Sequence, residues 1–95
     1  MTKEKNSMKR KIYGISSKYN FGWEYGVYAF EDMATAEQWL RTDEGDFRER
    51  ELMTKSEAIS IVGRKNVEHA TRVYLVDGQL AVSVYDPWYD AYTVI

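Results

Sequence analysis

The hydrophobic pattern reads as two strands over residues 11–18 and 23–31. In the second, Trp23, Tyr25, Val27 and Ala29 fall on one face and Tyr28 and Phe30 on the other, as a period of two requires. Aromatic and β-branched side chains suit a pleated surface. Tyr19-Asn20-Phe21-Gly22 between them fits a hairpin loop. The period then changes. Met33, Ala36, Trp39 and Leu40 recur at helical spacing, and Asp32 stands where a carboxylate caps the first free N–H groups. Thr42 to Asp46 supplies loop chemistry. Residues 47–53 carry charge on both faces, which predicts an edge strand.

Two local signals follow. Thr54-Lys55-Ser56-Glu57 is a capping box opening a helix whose apolar side is Ala58, Ile59, Ile61 and Val62. Gly63 fits its end, and Asn66 caps a further short turn as far as Ala70. Asp77-Gly78 is a preferred two-residue turn, which sets Val76 opposite Gln79, Leu75 opposite Leu80 and Val73 opposite Val82. One face of that hairpin carries Val73, Leu75, Leu80, Val82 and Val84, and the helices are expected there. Pro87 ends the strand by removing a donor. The pattern predicts an α+β fold in the order ββαβαββ: an antiparallel sheet of four to five strands with two helices packed on one face. Residues 1–8 are polar and aperiodic, an arm ahead of a single domain over residues 9–95.

Charge is also uneven along the chain. Residues 1–18 hold six basic residues and one acid, a net of +5, and residues 19–95 hold seven basic and fourteen acidic residues, a net of -7. A basic arm therefore precedes an acidic body. Lys9-Arg10-Lys11 could neutralise phosphates. The segment from Tyr25 to Phe30 lacks the leading basic residue and the flanks of an RNA-stacking strand.

The absence of cysteine excludes disulfides, thiolate metal sites and cysteine nucleophiles, and it fits a cytoplasmic chain. No apolar run approaches the ~18 residues of a membrane span, and no secretory signal is expected. The one histidine, His69, has no nucleophile motif around it and reads as a surface or boundary residue. Asp43, Glu44, Asp46, Glu49 and Glu51 lack the spacing of a calcium loop and are interleaved with Arg48 and Arg50. They read as a solvated loop and edge strand, or as an acidic interaction patch. Phosphate-binding glycine motifs are missing, so neither cofactor nor small-molecule substrate is expected.

Aromatic side chains point to protein binding, because Tyr and Trp give large contact area at low entropic cost. Eight tyrosines and three tryptophans are present. The expected partner-binding residues are Phe21 and Trp23 near the first hairpin loop, the acids Asp43, Glu44 and Asp46, and Trp88, Tyr89 and Tyr92 near the C-terminus. Packing is the competing role, with Trp23 closing the end of the core and Trp88 folding back as a lid.

The stretches from Val27 to Leu40 and from Asp46 to Ile59 resemble small proteins of phages and other mobile elements of gut bacteria. The resemblance implies no site residues. It implies a context in which short proteins bind host machinery, as anti-CRISPR inhibitors do through acidic surfaces. The expected function is accordingly a non-enzymatic protein-binding module, in the narrowest form an inhibitor of a host defence nuclease. A nucleic-acid-binding accessory protein using the basic arm and a homo-oligomeric structural module are the alternatives.

Overall fold

The computed structural model of the chain describes residues 12–19, 21–42 and 49–94. β1 (Ile12–Tyr19) and β2 (Trp23–Phe30) form a hairpin, α1 (Met33–Leu40) follows, and β3 (Glu49–Met53) returns to the sheet. α2 (Lys55–Val62) and α3 (Arg64–Glu68) lead to β4 (Thr71–Val76), β5 (Gln79–Asp86) and β6 (Ala91–Val94). The strands form one six-stranded sheet in the order β3-β1-β2-β4-β5-β6.

The α+β class holds, and three finer expectations do not. First, the sheet is mixed. β2 and β4 run parallel through Tyr28↔Thr71, Ala29↔Arg72 and Phe30↔Val73, while the other neighbours are antiparallel. Parallel neighbours need a long crossover, and α1, β3, α2 and α3 together supply it. Second, there are more strands: the aromatic tail contributes β6, paired to β5 from Ser83↔Val94 to Asp86↔Ala91. Third, the helices lie on both faces of the sheet.

The third difference follows from β1, in which Tyr13, Gly14, Ile15 and Ser16 are all buried. Successive side chains point to opposite faces, so a stretch buried at four successive positions must be covered twice. Tyr13 and Ile15 pack with Ala29 against Ala58 of α2, Val67 of α3 and Ala70. On the other face Phe30 and Val73 pack against Ala36 and Trp39 of α1, with Ile12, Leu52, Leu80 and Val82 around them. Gly14 and Ser16 are the small residues beneath α1. A Cβ on Gly14 would stand 2.7 Å from the Trp39 ring.

Local chemistry places the helix ends. Asp32 Oδ1 accepts from the Thr35 N–H (2.8 Å) and from the Thr35 hydroxyl (2.7 Å). Thr54 Oγ1 accepts from the Glu57 N–H (3.2 Å), and Glu57 Oε1 accepts from the Thr54 N–H (2.9 Å), completing the capping box. Arg50 on β3 closes the other end of α1, donating to the carbonyls of Trp39 (3.2 Å) and Leu40 (3.5 Å) and to Thr42 Oγ1 (3.3 Å). The Trp39 carbonyl also accepts from the Thr42 N–H (3.0 Å) and hydroxyl (2.7 Å). One cap differs from expectation. Asn66 lies inside α3 and donates to the Val62 carbonyl (2.7 Å), and Gly63 precedes α3 with φ 92° and ψ 153°. That backbone region is open to glycine alone.

The Asp32 cap carries a pH signature. The bonds from the Thr35 N–H and hydroxyl hold its carboxyl below the ordinary value of 3.8. Its contribution is therefore full above 3.8 and is lost as pH falls through the lower, folded value. Asp32→Ala should cost about 1 kcal/mol in urea denaturation at neutral pH, and the gap to the parent should narrow as the pH is taken below 3.8. A gap unchanged by acid would show that the cap does not depend on the ionised carboxylate.

Candidate functional site

The parallel pairing leaves the sheet notched. β1 accompanies β2 along its whole length, from Tyr19↔Trp23 to Ile12↔Phe30. β4 joins β2 only from Tyr28 onward. On that side residues 23–27 of β2 pair with no strand among the described residues. The cause lies in the approach to β4. α3 ends at Glu68, and the chain turns through His69 and Ala70 before it becomes extended at Thr71. β4 therefore meets β2 only from Tyr28 onward.

A groove of about 570 Å³ fills the notch. Tyr25, Gly26 and Val27 form its strand wall, Ile61 and Val62 of α2 and Asn66 of α3 its helical wall, and His69, Ala70 and Thr71 its end. Backbone N–H and C=O groups on an open strand edge are ready to pair with another strand.

Aromatic side chains rim the groove. Alternation puts Tyr19, Trp23 and Tyr25 on the face covered by α2 and α3. Trp23 meets Tyr19 edge-on at 5.5 Å and stacks on Tyr25 at 6.4 Å. All three are exposed, as are Ile61 and Phe21, the last almost completely. Trp23 therefore does not close the core. Beside Trp23 and Tyr25 a second groove of about 350 Å³ is lined by Glu49, Glu51 and Met53 of β3, with Ile61 shared between the two. Register places Glu51 beside Ile15 and Glu49 beside Ser17, on the aromatic face.

The second aromatic segment divides. Trp88 and Tyr89 stand exposed on the turn between β5 and β6, Trp88 at 90%, so it is no lid. The Trp88 N–H donates to Asp86 Oδ1 (3.0 Å), which shapes that turn. Tyr92 is half-buried. Its hydroxyl donates to the Glu68 carbonyl (2.9 Å), its ring packs edge-on against Tyr85, and the Arg72 guanidinium lies 3.8 Å above it. His69 stacks on Tyr85 at 3.8 Å, nearly parallel. The Tyr85 hydroxyl donates to Asp90. That bond, followed by burial and the Asp90 charge, raises the Tyr85 phenol above its ordinary value. Burial likewise raises Tyr13, and Tyr92 adds to the effect while Arg72 opposes it.

Of the residues expected from the sequence, the structure gathers Phe21 and Trp23 at the tip of the first hairpin and Trp88 and Tyr89 at a separate turn. Asp43, Glu44, Asp46, Lys9, Arg10 and Lys11 lie outside the described residues. Tyr25, Ile61 and His69 escaped the sequence reading as site residues. The period-two alternation did place Tyr25 beside Trp23, but nothing local announces that β4 stops short of it. Among the described residues no helix is long and apolar enough to cross a membrane, and no three His, Asp or Glu side chains group as a metal site.

Comparison with protein-family models, curated proteins and solved structures finds no match for this chain.

Proposed function

We propose that this chain is a non-enzymatic protein-binding module that takes up an extended segment of a partner protein along the open edge of β2. The observation that carries the reading is the unpaired run of residues 23–27 facing a groove of about 570 Å³. An added strand gains main-chain hydrogen bonds from such an edge, and its alternate side chains select by the pockets they meet. Here those side chains would meet Tyr25 and Ile61, with Glu49 and Glu51 beyond them. Carboxylates beside exposed aromatic rings favour a segment carrying Arg or Lys, since both the charge and the ring faces attract a cation. The acidic body over residues 19–95 acts in the same direction at longer range. The narrower reading, inhibition of a host defence nuclease, draws on the resemblance to mobile-element proteins and on that acidity.

Selection of peptides from a random displayed library tests the module. Enriched peptides should be extended and basic, and they should slow hydrogen exchange at alternate amides within residues 23–27. Tyr25→Ala should weaken them about tenfold, with no change in the fold by circular dichroism. Ligands that leave those amides exchanging as in the free protein would reject strand addition at β2.

A further inference from the structure

A smaller cavity, of about 170 Å³, lies on the same face of the sheet beyond Ala70. Tyr13, Lys55, Glu68, Arg72 and Tyr92 supply its polar wall. Its chemistry runs against the acidic body around it: two cations face one carboxylate.

Tyr13 is 6% exposed, and its hydroxyl makes no hydrogen bond among the described residues. No fully buried side-chain N or O atom there lacks a partner. The phenol oxygen must therefore reach the accessible wall of the cavity that Tyr13 lines. Arg72 is half-buried and likewise makes no ion pair or side-chain hydrogen bond among the described residues. Its guanidinium lies 3.8 Å over the Tyr92 ring. Stacking engages the face of the guanidinium and leaves its N–H groups, which lie in the plane, free to donate. Ser83, small and buried, stands opposite Arg72 in β5 and lets the guanidinium cross to Tyr92 on β6. Lys55, at the start of α2, makes no ion pair among the described residues. Among the described residues, a half-buried cation without an ion pair thus stands beside an accessible phenol hydroxyl without a protein acceptor, and both can donate to an anion in the cavity.

We propose that this cavity is an oxyanion site, in which Arg72 and Lys55 neutralise a phosphate or carboxylate group and the Tyr13 hydroxyl donates to it. The raised Tyr13 phenol keeps its proton at neutral pH and so remains a donor. Size limits the ligand. Pockets for drug-sized ligands measure roughly 300–1,000 Å³, so this cavity takes one anionic group with its waters. Glu68 on the wall disfavours a ligand with a second charge on that side. The site is separate from the β2 edge, and its test does not involve a peptide.

Isothermal titration of the full chain with inorganic phosphate, against sodium chloride at matched ionic strength, reads the site. Saturable binding is expected. Arg72→Met, which keeps an unbranched side chain but removes the charge and the N–H donors, should weaken it at least tenfold. Tyr13→Phe, which removes only the hydroxyl, should weaken it several-fold. Lys55→Gln, at an exposed position, should weaken it while leaving the fold unchanged, and so keeps the test open if Arg72→Met unfolds. Acetate binding in competition with phosphate would support the site and extend it to carboxylates. Glycerol 2-phosphate binding as well as inorganic phosphate would point to a phosphate carried on a larger molecule, and its exclusion to a free anion. Absence of saturable phosphate binding, or binding unchanged in both Tyr13→Phe and Lys55→Gln, would overturn the assignment.

Discussion

Trp39→Ala is expected to remove about 3–5 kcal/mol of stability. Trp39 is 2% exposed, and its indole meets Phe30 at 5.2 Å and Tyr28 at 5.1 Å. Phe30, Ala36 and Val73 pack with it as one cluster, so α1 is held to the sheet mainly through this ring. Arg50 lies 5.7 Å over the same indole while closing the end of α1, and truncation would loosen that link too. A domain of this size has a total stability of roughly 5–15 kcal/mol. Urea denaturation followed by circular dichroism should show a midpoint far below the parent's, or no folded baseline. Trp88→Ala supplies the contrast. That ring is 90% exposed, and its loss should change stability by no more than about 0.5 kcal/mol. Similar losses for the two tryptophans would contradict the placement of the core.

Gly14→Ala should destabilise by about 1–3 kcal/mol, reversing the usual benefit of replacing glycine in a strand. The added Cβ would stand 2.7 Å from Trp39 Cζ3 and 2.9 Å from Phe30 Cε2. Both are atoms of buried rings with little room to yield. The cost should therefore depend on the indole, and Trp39→Leu should relieve it. A double-mutant cycle over Gly14→Ala and Trp39→Leu should give a coupling of roughly 0.5–3 kcal/mol. Additive effects would show that the Cβ meets no obstacle from Trp39.

Both predictions concern the layer that also sets up the candidate site. With α1 against Gly14 and Ser16, the opposite face of β1 and β2 is left for α2 and α3. Those two short helices cover Tyr13, Ile15 and Ala29 but not Tyr19, Trp23 and Tyr25. The exposed aromatic row is thus what remains when a long hairpin is roofed by a short helical layer. The notch beside it has the same origin, because α3 ends level with the middle of β2.

Chemistry confined to a few neighbouring residues was legible in the sequence. The capping box at Thr54 and Glu57, the Asp32 cap, the Asp77-Gly78 turn with its register from Val76↔Gln79 to Val73↔Val82, and the charged edge strand at β3 all stand in the structure. Each depends on bonds or sterics within a turn or a hairpin, or, for the edge strand, on charge along one segment. The tertiary structure alone decided the parallel meeting of β2 and β4, the second helical face, and the addition of β6. These depend on which distant surfaces find each other, and alternation specifies a strand's two faces without naming what covers them. The candidate sites fall in that second class. Trp23 announced itself by its residue type, but the open edge beside Tyr25 exists only because β4 begins late. Tyr13, Lys55 and Arg72 come from three elements far apart in the chain. They share a cavity because the fold places one face of β1 and β4 beneath the start of α2, a juxtaposition that no local pattern encodes.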